Sequence, residues 1–308
     1  MKYPLLLNPV LKDYIWGGKR LLNEYGFKAS SETVAEGWML SCHKDGTNTV
    51  ANGKYKGKTL DAVLKEWGYN GLPVIIKLID ANDRLSVQVH PDNEYALKHE
   101  GESGKTEMWY VVDACPDAQL AYGFNKDISR DEFKKRITEN SLDDVINYVS
   151  VKKGDVFFIP AGTLHAIGKG ILIAEIQQNS NSTYRVSDYG RIGHDGKPRE
   201  LHIDKAVDVT KTEKQTTESQ KETVCRFDYG TERLLSECEY FKAVKIDLNG
   251  QKDIDLKSGL ADILVLSGEI TVQSQNGSFK AKKGDSVFVP NDCVCEINGK
   301  AEMIYTTF

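Results

Sequence analysis

The sequence predicts a mostly β protein whose strands form two related barrels, with a small helical insert. Three observations support this: β-rich runs set off by Gly, Pro and Asp, few stretches at helical spacing, and one segment that occurs twice. Leu85-Ser86-Val87-Gln88-Val89-His90 alternates strictly, placing Leu85, Val87 and Val89 on one strand face and Ser86, Gln88 and His90 on the other. Trp109–Val112, Val156–Ile159 and Ile171–Ala174 are further strand candidates.

Helices are expected in two places. Leu60, Val63, Leu64 and Trp67 fall at helical spacing after Thr59, and Gly68 supplies a stop, which predicts a helix over 59–68. Ser129-Arg130-Asp131-Glu132 is a capping-box pattern, and Leu142, Val145, Ile146 and Val149 continue an apolar stripe, so helical structure is expected over 129–149.

The repeat sets Lys152-Lys153-Gly154-Asp155-Val156-Phe157-Phe158-Ile159-Pro160 against Lys282-Lys283-Gly284-Asp285-Ser286-Val287-Phe288-Val289-Pro290. A weaker match sets Tyr110–Ala114 against Leu264–Gly268. The two offsets differ by about the length of the helical insert, which only the first copy carries. Thr210 to Thr223 is polar throughout and reads as a linker. The expected units are therefore 1–209, bearing the site, and 210–308.

The chain has 308 residues, 40% hydrophobic and 28% charged, with a formal net charge of −5. That balance supports a packed core and argues against nucleic acid as a partner. The six cysteines include no CxxC pair and read as reduced thiols. The apolar run at the start is too short for a signal segment, and no stretch approaches a membrane span, so a cytoplasmic location is expected.

The patterns E-x-x-Y-V-V-x-A, beginning at Glu107, and G-D-x-x-F-x-P-x-G-T-x-H, ending at His165, resemble the two motifs of the cupin (jelly-roll) barrel. The resemblance makes Glu107 and His165 metal ligands. Ala261 and Cys295 stand at the matching places in the second copy, so only the first barrel should hold metal. His90 joins the set, with Gln88 two residues before it on the same face. One buried histidine alone is more often a hydrogen-bonded core residue, but at these joint positions a metal is the stronger reading. A mixed imidazole, carboxylate and amide set suits zinc with an open position. His43, His99, His194 and His202 read as surface or structural.

Most of the chain also resembles type I mannose-6-phosphate isomerases of the short bacterial form. The likeness runs through Trp16-Gly17-Gly18, Glu36-Gly37-Trp38, Lys77–Ala81, Leu85–Pro91, Gly104–Tyr110, Pro160–Ala166, Gln177–Ser180 and Tyr184–Arg191. It implies interconversion of mannose 6-phosphate and fructose 6-phosphate through an enediolate. It also implies one Zn2+ per chain at Gln88, His90, Glu107 and His165, with Arg185 and Lys105 catalytic and Lys77 and Ser86 lining the pocket. Relatives often carry Asp four residues before that arginine; this chain has Asn181, which can bind a hydroxyl but cannot take its proton.

A proton moved between C1 and C2 needs a base, an oxyanion stabiliser and a phosphate anchor. The residues leave the base open between Lys105, a metal-bound hydroxide and a carboxylate not singled out. Arg185 suits either the enediolate or the phosphate. A sugar phosphate is thus the expected small-molecule partner of a monomer or homodimer. Two other classes fit the barrels alone: a metal-free sugar-binding or regulatory bicupin, and an iron-dependent cupin oxygenase. The latter usually shows His-x-His where this chain has Gln-x-His.

Overall fold

The computed structural model describes residues 2–193, 196–216 and 223–308. Two antiparallel sheets build the first part. One has six strands in the order Val156–Ile159, Glu107–Ala114, Ile171–Gln178, Val74–Ala81, Glu36–Leu40 and Val10–Lys12. The other has five, in the order Ile146–Ser150, Gln119–Phe124, His165–Ile167, Val87–Val89 and Tyr184–Ser187. Ile79, Trp109, Val111 and Ile173 from the first sheet pack with Leu120 and Ile167 from the second. The central strands of the six-stranded sheet, Val74–Ala81 and Ile171–Gln178, are buried along their whole length. That explains their near-continuous apolar sequence, and it makes any charged residue within them conspicuous.

Helix Arg130–Thr138 begins as the sequence predicts, with the Ser129 hydroxyl accepting from the Glu132 amide at 3.0 Å. Its Phe133 and Ile137 cover the outer face of the five-stranded sheet, against Val87, Val89 and Tyr184. The expected continuation of helix to 149 is not found. Leu142–Asp144 is a single 3-10 turn, and Ile146–Ser150 is a strand paired with Gln119–Phe124. The stripe of Ile146 and Val149 was compatible with either period, and pairing along the free edge of Gln119–Phe124 decided it. Leu85 also departs from expectation. It packs with Trp16 in the inner core, whereas Val87 and Val89 face the helices. Helix Leu60–Glu66 lies within the predicted 59–68.

The second part is one nine-stranded sheet dominated by the long strands Lys242–Leu256, Ala261–Ser274 and Cys293–Thr307. Its inward side chains, among them Ile246, Ile263, Val272, Val287 and Met303, pack on one another. The repeat is visible as geometry. Gly154 and Gly284 take φ of +94° and +88°, and Asp155 and Asp285 each accept from the amide three residues back at 2.8 Å. A left-handed backbone at that place favours glycine in both copies. Ile159 pairs with Glu107 as Val289 pairs with Ala261, so the sequence match is also a register match.

Strands Leu5–Asn8 and Thr49–Val50 do not join the sheets of their sequence neighbours. Leu5–Asn8 pairs with Ser286–Val289 and extends the C-terminal sheet across the expected boundary at 210. Of the polar stretch Thr210–Thr223, residues 217–222 lie outside the described residues. Just before them, Gln215 donates its amide to the Phe124 carbonyl at 3.0 Å. No helix of the described residues is long and apolar enough to cross a membrane.

Between the two parts lies a buried acid. Asp262 is fully buried, accepts from the Ser286 hydroxyl at 2.6 Å, and has Oδ2 without a partner. Burial pushes its pKa up to about 7. The unfolded carboxyl ionises near pH 4, so folding is progressively disfavoured as pH rises from about 4 to about 7, by a few kcal/mol at most. Asp262→Asn keeps the acceptor and removes the ionisation. Its thermal midpoint should exceed that of the wild type at pH 8, with the gain shrinking toward pH 5. An equal gain at both pH values, or a loss at pH 8, would contradict a buried ionisable carboxyl.

Candidate active site and metal centre

The cavity opens between the two N-terminal sheets. It is lined by Tyr14, Trp16, Glu36, Lys77, Ser86, Gln88, Lys105, Glu175, Asn181, Arg185 and Arg199, among others. Glu107 begins its strand, His165 begins another, and His90 follows Val87–Val89 where the chain turns at Pro91. Donor atoms of His90, Glu107 and His165 all lie within 4.8 Å of one another, and all three residues are buried. Glu107 Oε1 is 3.5 Å from His165 Nε2, and Oε2 is 3.6 Å from His90 Nε2.

The rings are oriented from behind. His90 Nδ1 donates to the Ser182 carbonyl and His165 Nδ1 to the Thr163 carbonyl, both at 2.9 Å. A carbonyl can only accept, so each ring carries its proton on Nδ1 and aims the Nε2 lone pair at Glu107. Burial pushes His165 down to about 4 and His90 well below the usual histidine value, keeping both rings neutral as a ligand requires.

The residues fit a divalent cation. Glu107 Oε1 is buried without a hydrogen bond, although the carboxylate stands between two ring nitrogens. Burial first, then the neighbouring Glu175, raises the Glu107 pKa. The cavity floor formally holds three carboxylates (Glu36, Glu107, Glu175) against two ammonium groups (Lys77, Lys105), and that excess of negative charge favours a cation. Lys105 already stands in the cluster, with Nζ 2.7 Å from Glu107 Oε2 and 3.1 Å from His90 Nε2. A metal would therefore compete with Lys105 for these two ligands. Gln88 faces His165 Nε2 at 3.4 Å, next to the cluster of His90, Glu107 and His165.

Lys77 is buried between Glu36 at 3.6 Å and Glu175 at 3.3 Å. Glu36 accepts from Trp38 Nε1 at 2.7 Å and Glu175 from Trp109 Nε1 at 2.9 Å, so each carboxylate is held in place by an indole. Lys105 and Lys77 keep Glu175 ionised despite its burial. Glu175 was not singled out from the sequence. Its signal was there, a carboxylate inside the apolar run Ile171-Leu172-Ile173-Ala174-Glu175-Ile176. Arg199 was also missed, because nothing in the sequence places it beside Arg185.

Arg185 stands directly opposite Gln88 across the sheet. Its Nε donates to Ser86 Oγ at 3.3 Å and its Nη1 to the Glu200 carbonyl at 2.8 Å. Asn181 is exposed at the rim and donates to Asp45 Oδ2 at 2.8 Å. A carboxylate at position 181 would lose that bond and face Asp45 directly. His43 is buried at the same rim, within 3.6 Å of Glu102, and His99 stacks on Tyr95, both in structural settings. His202 receives the Arg185 amide, and His194 lies outside the described residues. The structure thus brings together Lys77, Ser86, Gln88, His90, Lys105, Glu107, His165 and Arg185, with Asn181 at the edge.

Residues 5–119 match the family described as phosphomannose isomerase type I, catalytic domain, and residues 231–308 match mannose-6-phosphate isomerase, cupin domain. The chain is 38% identical over 299 residues to the mannose-6-phosphate isomerase of Streptococcus mutans, covering 94% of this chain and 93% of that protein. It is likewise 38% identical over 299 residues to mannose-6-phosphate isomerase ManA of Bacillus subtilis, covering 93% of each. The crystal structure of a mannose 6-phosphate isomerase from Bacillus subtilis superposes with a TM-score of 0.93 at 35% identity, over 100% of both chains. A phosphomannose isomerase variant from Salmonella typhimurium shares the fold, with a TM-score of 0.79 at 16% identity.

Proposed function

The chain belongs to the type I mannose-6-phosphate isomerase family, and on that premise we propose how its own residues carry the reaction. The enzyme interconverts mannose 6-phosphate and fructose 6-phosphate, and the family is metal-dependent. The observation that carries the assignment to this cavity is the buried His90, Glu107, His165 cluster facing Lys105.

We assign His90, Glu107 and His165 as ligands of one Zn2+, with Gln88 beside them. An ion held by these residues would supply Lewis acidity to the substrate. Isomerisation removes the proton from C2 of the aldose and places one on C1, while a proton leaves the C2 hydroxyl and one arrives on O1. Two groups are placed for these transfers. Lys105 presents an ammonium at the ligand cluster and can donate to an oxygen or, once deprotonated, accept from carbon. Glu175, ionised and 3.3 Å from Lys77, is the carboxylate acceptor. Lys77 holds Glu175 in that state, and Ser86 fixes Arg185, whose planar cation faces the substrate.

Residues 1–209 are assigned as the catalytic unit and 210–308 as a cupin-like unit without ligands, since Ala261 and Cys295 stand where the first copy has Glu107 and His165. A cytoplasmic monomer or homodimer is the accompanying reading. The test is a coupled assay of purified protein with mannose 6-phosphate, before and after chelation. Turnover that falls on chelation and returns with Zn2+ is expected. Absence of turnover in fully metal-loaded protein would instead favour a sugar-binding barrel.

A further inference from the structure

The outer wall of the cavity is rich in arginine. Asp188 is buried and holds Arg199 by two bonds, Nε to Oδ2 at 2.7 Å and Nη2 to Oδ1 at 2.5 Å. It holds Arg191 through Oδ1 at 2.5 Å as well. Arg185 stands close to both arginines but has no carboxylate within hydrogen-bonding distance among the described residues; its bonds go to Ser86 Oγ and the Glu200 carbonyl. Asp83 is 3.6 Å from Arg191, and Glu200 adds a carboxylate at the exposed edge. Asp188 is thus the only carboxylate in hydrogen-bond contact with these three guanidinium groups among the described residues. Burial, then repulsion from Arg199, lowers the Arg185 pKa, as expected of a half-buried cation short of a counter-charge.

Arg185 and Arg199 both line the cavity, and Arg199 makes no hydrogen bond to His90, Glu107 or His165 among the described residues. The grip of Asp188 uses the Nε and Nη2 edge of Arg199. The Nη1 edge remains uncommitted among the described residues. Asp188 therefore fixes the plane of the guanidinium in advance, and an oxyanion arriving at Nη1 need not order a flexible side chain. An ion pair serving the loop alone would have no need of a second arginine beside it.

We propose that Arg199, positioned by Asp188, grips the phosphate of the sugar phosphate together with Arg185, and that this arginine pair sets the preference for phosphorylated over free hexose. The inference rests on the isomerase reading for the identity of the substrate, while the anion site stands on the arginines alone. The phosphate is the substrate's one fixed charge, roughly −1.5 to −2 near neutral pH. It is carried on C6, remote from the carbons that exchange a proton. Arg199, which forms no hydrogen bond to His90, Glu107 or His165 among the described residues, suits that remote group.

The experiment compares metal-loaded wild type with Arg199→Met and Arg199→Lys. It measures KM and kcat for mannose 6-phosphate, and binding of inorganic phosphate by calorimetry and by competitive inhibition. Loss of charge-assisted hydrogen bonds should raise KM and weaken inorganic phosphate roughly 10- to 100-fold in the Met variant. The Lys variant should fall between, and kcat should change no more than about threefold in either. A fall in kcat with KM and phosphate binding intact would overturn the proposal and leave Arg199 as a loop staple. Should wild type fail to turn over mannose 6-phosphate, the substrate reading fails, yet phosphate binding that weakens in both variants would still uphold the anion site. Phosphate binding that is equal in all three proteins overturns it.

Discussion

His165→Ala should abolish turnover and strip most of the metal, whereas Cys295→Ala should leave both unchanged. His165 supplies one of three buried donors, and its ring is fixed by the Thr163 carbonyl, so alanine removes both the ligand and the group that pairs with Glu107 Oε1. Changing only an outer hydrogen bond to a ligand weakens metal binding roughly 10- to 100-fold; loss of the ligand itself should exceed that. Cys295 occupies the matching place in the second copy, where Ala261 replaces the carboxylate and the surroundings are Ile254, Ile263 and Met303. Elemental analysis should give one metal per wild-type chain and one in Cys295→Ala. Two tightly held ions in the wild type, or full content in His165→Ala, would refute a single site.

Lys77→Met is expected to be the most destabilising single change in the cavity. It leaves Glu36 and Glu175 buried without the cation between them, and breaking one side of a buried ion pair costs about 3–5 kcal/mol. Glu175, which Lys77 helps keep ionised, should then bind a proton more readily when folded. Stability lost at neutral pH should return in part as pH falls toward the carboxylate range. Denaturant midpoints at pH 8 and pH 5 measure this. Adding Glu175→Gln should recover part of the loss. A loss below about 1 kcal/mol and independent of pH would mean that solvent reaches these groups.

The sequence made the candidate cluster and the turns legible through short motifs, although the members of the cluster lie far apart along the chain. His90 lies two residues beyond Gln88, Glu107 two beyond Lys105, and Gly154-Asp155 and Gly284-Asp285 mark the same tight turn. The less legible features were decided by distant partners. Ile146–Ser150 became a strand because Gln119–Phe124 offered an edge, which no local period reports. Glu175 and Lys77 are adjacent only through the pairing of Ile171–Gln178 with Val74–Ala81, and Glu36 joins them from a third strand. Arg199 is held in the cavity wall by Asp188, eleven residues before it. Charged residues inside apolar strand runs were the one available clue to this network, and they mark places where burial must be balanced by a partner elsewhere in the chain.

The pairing of Leu5–Asn8 with Ser286–Val289 bears on how the molecule assembles during synthesis. Thr49–Val50 can fill one edge of Leu5–Asn8 early, but the other edge waits for Ser286–Val289, far along the chain. A contact across so long a separation carries a high loop-closure cost, and folds dominated by such pairings form slowly. Until then Leu5–Asn8 lacks one of its two strand partners, a state prone to association. Ser286–Val289 in turn would keep an open edge if the C-terminal portion were made alone. The pairing of Leu5–Asn8 with Ser286–Val289 therefore couples the stability of the two portions.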